Sequence, residues 1–173
     1  MKTERAELDE NEWNLINENI NIAIKDIVQY RVDEAASLEI DFKERIANIK
    51  TYLEEVKALD GDRVENVKTR LKKAIDDLKV TTDENRFEQE LIYYLEKLDI
   101  NEEKVRLANH LDYFLQTLSS ENSNGKKLGF IVQEMGREIN TTGSKANFAP
   151  MQKAVIQMKN ELEQIKEQIL NVL

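Results

Sequence analysis

The chain has 173 residues, with 34 Asp and Glu against 25 Lys and Arg and a single His, so its formal net charge is −9. It contains no cysteine, which excludes disulfides, thiolate nucleophiles and cysteine-bound zinc or iron–sulfur clusters. With only 5 Gly and 1 Pro, it is poor in the tight turns of a β-sandwich or barrel. The acidic balance opposes non-specific binding to nucleic acid. Since no apolar run can span a membrane or form a signal peptide, we expect a cytoplasmic protein without a membrane partner.

The first half of the chain carries one long helical pattern. Between Trp13 and Val56 the apolar residues recur in steps of 3, 4 and 4, a period that is typical of a nearly straight helix. The pattern predicts a helix over residues 9–59. Asp60-Gly61-Asp62 is expected to end it, because a glycine there can adopt the left-handed conformation that terminates helices. Residues 62–79 would then return as the second helix of an antiparallel hairpin.

Four shorter helices are predicted in the remainder of the chain, at residues 84–98, 101–118, 126–141 and 150–172. The predicted fold class is therefore all-α, a long projecting αα-hairpin followed by a C-terminal helical bundle. The domain boundary falls between residues 1–82, the hairpin, and residues 83–173, the bundle. The polar segment 119–125 predicts a mobile loop.

The start of the first helix is more apolar than the hairpin can cover. Trp13, Ile16, Ile20 and Ile24 lie on the part of the stripe that the second helix is too short to reach. Left in water, these side chains would form a large exposed apolar patch. We therefore expect them to pack on the C-terminal helices or on another copy of the chain.

Paired carboxylates mark the 126–141 helix. Glu134 and Glu138 are one helical turn apart, beside the apolar stripe. Two carboxylates at that spacing repel each other and favour a shared cation or proton. In so acidic a chain the spacing also arises by chance, and the two glutamates can equally pair with Arg137 or Lys127.

Glu103 and His110 share one flank of the 101–118 helix. Helical bundles hold divalent metals with carboxylates and imidazoles on facing helices, so these residues are candidate ligands. A hydrogen-bonded histidine at the edge of a core is the alternative for His110.

Lysines flank both ends of the 126–141 helix. Lys126 and Lys127 precede its first turn and Lys145 follows it. Together with free backbone amides they could hold phosphates, while ordinary capping and solvated lysines are the alternative interpretation.

A set of sequence blocks occurs in a recognisable order: DENRFEQE at 83–90, DINEE at 99–103, RL at 106–107 with His110, GKKL at 125–128 and QEMGREINTTGSK at 133–145. With these blocks the chain resembles the C-terminal half of the YicC/YloC family of bacterial endoribonucleases. A weaker similarity begins with YRVDEA at 30–35. Two positions depart from the family pattern, since Gly136 stands where Asn is usual and Gly129 where Asp is frequent. The first departure is expected to change the polar face beside Glu134.

The resemblance implies an endoribonuclease that cleaves single-stranded or hairpin RNA with a divalent cation, Mn²⁺ or Mg²⁺. It also implies a homo-oligomer with no DNA partner. Family members carry a further N-terminal domain that contains β-structure, so the resemblance implies that this chain is a C-terminal fragment. Such a fragment is expected to lack part of the RNA-binding surface and to be inactive on its own.

On the matched positions, the resemblance assigns roles to two sets of residues. The expected metal ligands are Glu103, His110, Glu134 and Glu138. Three of them, Glu103, His110 and Glu138, are also the expected catalytic residues. The expected phosphate contacts are Arg106, Lys126, Lys127, Arg137 and Lys145. Two other functions stay open, an adaptor that delivers RNA to another nuclease and a purely structural helical assembly module.

Overall fold

The computed structural model of the chain describes residues 9–77, 83–120, 124–170 and 172. Within these ranges it has five α-helices and no strand, so the all-α class is confirmed. The helices are α1 (Glu10–Asp77), α2 (Glu84–Lys97), α3 (Asn101–Leu118), α4 (Gly125–Lys145) and α5 (Ala149–Ile169). The predicted mobility of the 119–125 loop rests on residues 121–123, which lie outside the described residues. In the described ranges no helix is both long enough and apolar enough to cross a bilayer.

The predicted helix end at Asp60-Gly61-Asp62 is wrong, because α1 continues through all three residues. The Asp60 carboxylate does not cap a new helix. It accepts hydrogen bonds from Arg63 Nε at 2.9 Å and from Lys104 Nζ at 2.6 Å instead. The two helices of the predicted αα-hairpin are therefore one helix.

The chain divides into two compact units, one up to Ile40 and one from Asp41 onward. In the first unit the side chains of the predicted apolar patch are about half exposed: Trp13 55%, Ile16 44%, Ile20 49% and Ile24 53%. Within the described ranges these side chains are therefore not buried. Their burial by a second copy stays a prediction.

The second unit contains the hydrophobic core. α1 contributes a stripe that begins at Phe42, whose ring meets the edge of Phe114 of α3 with 5.9 Å between centroids and an interplanar angle of 89°. The predicted stripes of α4 and α5 are confirmed, since their apolar members are buried. The core residues of these two helices are Leu128, Ile131, Val132, Met135, Ile139, Met151, Ala154, Val155, Met158, Leu162, Ile165 and Ile169.

Of the helix ends near the site, one matches the prediction and one differs from it. α3 begins at Asn101 as predicted, and Asp99 accepts a hydrogen bond from the Asn101 backbone amide at 3.2 Å. α4 does not end near residue 141 but continues to Lys145. There the Gln152 side chain donates a 2.5 Å hydrogen bond to the Gly143 carbonyl, satisfying one of the last carbonyls of the helix.

Candidate functional site

α3 and α4 lie side by side and antiparallel, as three contacts between them establish. Near the start of α3, Glu103 meets Lys145 at the end of α4. Arg106 lies 3.9 Å from Glu138, and Tyr113 contacts Lys127 near the start of α4. Residues on these lines of each helix are three, four or seven apart, so they share one edge. We call this edge the α3–α4 seam, formed by residues 103, 106, 110 and 113 of α3 and residues 127, 134, 138 and 145 of α4.

Glu103 and Lys145 form a nearly buried ion pair at one end of the seam. Lys145 Nζ donates to Glu103 Oε1 at 2.7 Å, and the glutamate side chain is only 7% exposed. The other carboxylate oxygen, Oε2, is buried without a hydrogen-bond partner among the described residues. A desolvated carboxylate oxygen without a donor is costly, and it is therefore a position at which a bound cation or donor would be stabilised.

Glu138 is the second buried carboxylate of the seam. Burial raises the pKa of Glu138 above its ordinary value; Arg106 opposes this effect, the nearby Glu103 charge adds to it, and His110 opposes it. Arg106 Nη1 lies 3.9 Å from Glu138 Oε1, and Glu103 and His110 lie three and four residues from Arg106 along the same edge of α3. Three of the predicted site residues thus lie along the α3–α4 seam.

Glu134 takes a different partner. Its Oε1 lies 2.6 Å from Arg137 Nη1 on the same helix, and the two groups form an ion pair. This oxygen is buried and accepts no hydrogen bond from the described residues. Arg137 is 71% exposed. Of the partners that the sequence left open for Glu134, the structure shows Arg137.

The predicted phosphate-binding residues differ in their exposure and in whether they already form an ion pair. Lys126 and Lys127 are exposed at the start of α4, and Arg137 is exposed in its middle. Arg106 is 56% exposed and pairs with Glu102 one turn earlier. Lys145, in contrast, is held by Glu103, so a phosphate would have to compete with that carboxylate.

The carboxylates of the seam do not form a complete metal site by themselves, but two of them suit a site that substrate phosphates complete. No group of three or more His, Asp or Glu side chains in the described ranges is gathered closely enough to hold a metal ion by itself. A preformed site made of Glu103, His110, Glu134 and Glu138 is therefore absent from those ranges. Mg²⁺, however, is commonly held by one or two carboxylates together with substrate phosphates. The Glu103–Glu138 pair, with its free buried oxygen, suits that mode.

Two further points separate the structure from the sequence analysis. Gly136 lies against α5, where an added Cβ would sit 3.4 Å from Leu162 Cδ2, so the departure from Asn does not change the polar face beside Glu134. Sequence reasoning also missed Glu102, which pairs with Arg106 and adds negative charge near Glu138. The i, i+4 spacing of Glu102 and Arg106 was the available signal.

Comparison with known proteins now defines the class. The family described as "Endoribonuclease YicC-like, C-terminal" matches residues 56–173, and this chain belongs to that family of helical endoribonuclease domains. Over 99% of its length the chain is 34% identical to the "Probable endoribonuclease YicC" of Clostridioides difficile (strain 630). Over 86% of its length it is 29% identical to the protein of the same name from Haemophilus influenzae. The chain spans 60% and 52% of these relatives, respectively.

Proposed function

We propose that this chain forms part of an endoribonuclease that cleaves single-stranded or hairpin RNA at the α3–α4 seam with the help of a divalent cation. The observation that supports this most is the pair of buried carboxylates, Glu103 and Glu138, with cationic side chains beside them. Burying a charge is unfavourable unless it is paired, so two acids held out of water at one helix–helix edge favour a bound cation there. The names of the two relatives supply the substrate class.

Phosphodiester cleavage needs a positioned phosphate. Arg106 and Arg137 have largely exposed guanidinium groups, which bind phosphate oxygens through two parallel hydrogen bonds. Arg106 also approaches Glu138, so a phosphate bound there would lie next to the buried carboxylates. Lys126 and Lys127 extend the cationic edge toward the start of α4.

Cleavage also needs a group that moves a proton, and His110 is the imidazole of the seam. It is partly exposed and lies one turn from Arg106, which approaches Glu138. An imidazole can both accept and donate a proton, so His110 would take the proton from the attacking hydroxyl or water and pass it to the leaving oxygen as the phosphorus–oxygen bond breaks. Glu138 would hold the ring in place through its charge.

A divalent cation would be held by Glu103 and Glu138 together with phosphate oxygens of the RNA. When bound, such an ion neutralises charge on the phosphate and makes a coordinated water more acidic. Lys145 would keep the Glu103 side chain in position beside it. Glu134, which is paired with Arg137, is less suited to the cation and would act by orienting that arginine.

The test is cleavage of end-labelled single-stranded, hairpin and duplex RNA by the full-length protein of which we propose that this chain forms part, with Mg²⁺ or Mn²⁺ and with the cation removed by a chelator. The proposal expects cleavage of single-stranded and hairpin RNA that stops on chelation. Binding without cleavage in the presence of cation would favour the RNA-delivering adaptor. Neither binding nor cleavage would favour the structural assembly module. Undiminished cleavage in chelator would exclude the cation.

A further inference from the structure

The end of the seam farthest from Glu103 carries exposed aromatic side chains. Tyr113 of α3 is 44% exposed and Phe130 of α4 is 61% exposed. Phe130 lies three residues, about one helical turn, after Lys127, the residue that contacts Tyr113. Two exposed aromatic side chains from adjacent helices thus flank Lys127 at this end of the seam.

A cation accompanies the rings. Lys127 Nζ lies 4.8 Å from the centre of the Tyr113 ring, within the range of a cation–π contact. Because α3 and α4 are antiparallel, this group of side chains follows Arg106 and Glu138 along one continuous edge. Single exposed apolar residues are common on protein surfaces, but paired aromatics beside a lysine, in line with arginines, are a more specific arrangement.

This arrangement suits unpaired nucleotides. Every base has a flat π-face that stacks on aromatic side chains, and proteins that hold single strands combine such rings with cations that follow the phosphates. In a duplex the faces of the bases are already stacked on one another and are not available. Arginines near the carboxylates and aromatics beyond them would therefore hold successive nucleotides of one strand.

We propose that Tyr113 and Phe130 form a base-stacking platform for unpaired RNA, with Lys127 contacting the phosphate next to the stacked base. The inference rests on the proposed function and extends it, because it says which part of the RNA lies at this end of the seam. It also gives a physical reason for a preference for single strands over duplexes.

The experiment measures equilibrium binding of a fluorescently labelled RNA to the 173-residue chain by anisotropy, with a chelator present so that cleavage does not interfere. Three probes of equal length are used: a mixed-sequence single strand, the same strand with abasic residues in place of its bases, and a duplex. The variants are Tyr113→Ala, Phe130→Ala and the ring-preserving Tyr113→Phe. Tyr93→Ala, at an exposed tyrosine of α2, is the matched control.

We expect Tyr113→Ala and Phe130→Ala each to weaken binding of the single strand by about fivefold or more, the usual effect of losing one base–aromatic stack. Tyr113→Phe and Tyr93→Ala should bind as the unchanged chain does. The alanine variants should bind the abasic strand and the duplex with unchanged affinity. Circular dichroism confirms that each variant keeps its helical content.

Three results would overturn the platform. If the alanine variants bind the single strand normally while Arg106→Ala weakens it, the platform is wrong and the proposed function stands. If the alanine variants lose affinity equally for the abasic strand, the rings support the fold and do not stack on bases. If the unchanged chain binds no RNA, the platform is refuted, whereas the proposed function is decided separately by the cleavage test on the full-length protein.

Discussion

Asp60, Arg63 and Lys104 form a cluster of ion pairs at the point where the sequence predicted that the first helix would end. The contribution of this cluster to stability can be tested directly. Arg63 is only 3% exposed and makes three polar contacts: Nε and Nη2 reach Asp60 Oδ1 at 2.9 and 2.8 Å, and Nη1 donates to the Leu98 carbonyl at 3.0 Å. Lys104 reaches the other Asp60 oxygen at 2.6 Å. The one carboxylate therefore balances two cations, one of which is buried.

Asp60→Asn keeps the shape of the side chain and removes its charge. Breaking a buried ion pair by removing one partner costs about 3–5 kcal/mol, because the other charge is left out of water. Asp60 is 20% exposed and the amide oxygen still accepts one hydrogen bond, so we expect the lower end, about 3 kcal/mol. For a chain of this length that is a fall in melting temperature of roughly 6–12 °C.

The effect should depend on pH in a defined direction. Burial alone would raise the pKa of Asp60, but the hydrogen bonds from Lys104 and Arg63 outweigh it and the pKa is lowered overall. A carboxylate with a lowered pKa in the folded state stabilises the protein above its unfolded pKa, about 3.9, and this stabilisation is lost as the pH falls through the folded pKa. The difference between the unchanged chain and the variant should therefore be full at neutral pH and shrink in acid below about pH 4.

The assay is urea unfolding followed by circular dichroism at several pH values. Asp62→Asn, at an exposed position in the same turn of α1, is the matched control and should change stability by less than about 0.5 kcal/mol. If Asp60→Asn is no less stable than this control at neutral pH, the ion-pair argument is refuted. A loss of stability that stays constant into acid would instead assign the effect to packing.

Four further outcomes are expected. Glu138→Gln and His110→Ala should each lower RNA cleavage by about tenfold or more at unchanged helical content, as removal of proton-transferring or charge-holding groups does; full activity in both would reject the site. Lys145→Ala should weaken RNA binding in a salt-dependent way and also lower the urea midpoint, because Glu103 loses its partner; an unchanged midpoint would contradict the ion pair. Gly61→Ala should stabilise the chain by about 0.5–1 kcal/mol, since an added Cβ meets nothing within 4 Å in mid-helix; destabilisation in urea unfolding would contradict this. Light scattering should give a mass above that of the monomer with Trp13 fluorescence shifted to the blue; a monomer with exposed Trp13 would reject burial between copies.

Two variants on α5 serve as controls for the site predictions. Glu163→Gln and Lys166→Ala remove the members of an exposed ion pair. Exposed pairs of this kind contribute little to stability. Both variants should cleave and bind RNA as the unchanged chain does, so any loss in them would point to a general effect of charge.

Sequence periodicity predicted the packing faces well and the helix ends less well. The stripes of α4 and α5 were correct because an apolar face has only one favourable orientation toward a core. The predicted break at Asp60-Gly61-Asp62 was wrong, because Asp60 forms ion pairs with Arg63 and Lys104 and the helix continues. Lys104 lies far away in the sequence, so its contact with Asp60 becomes visible only in the fold. The extension of α4 to Lys145 was missed for a similar reason, since Gln152 satisfies its end.

For the site, helical spacing placed Glu103 and His110 on one flank and Glu138 on another. It could not supply the register between α3 and α4, which decides that Lys145 meets Glu103 and that Arg106 meets Glu138. Nor could it decide between the possible partners of Glu134, which forms an ion pair with Arg137.

The charges along the α3–α4 seam have a consequence for how RNA would arrive. Four glutamates (Glu102, Glu103, Glu134 and Glu138) lie among four cations (Arg106, Lys127, Arg137 and Lys145), so this edge is neutral in a chain whose net charge is −9. A polyanion is repelled at long range by the whole chain and attracted only at contact. Because salt screens repulsion beyond about 10 Å at 0.1 M, moderate salt should speed the encounter even while it weakens the final contacts. Association and dissociation rates would then both rise with salt, whereas for a basic RNA-binding protein salt slows association and speeds dissociation.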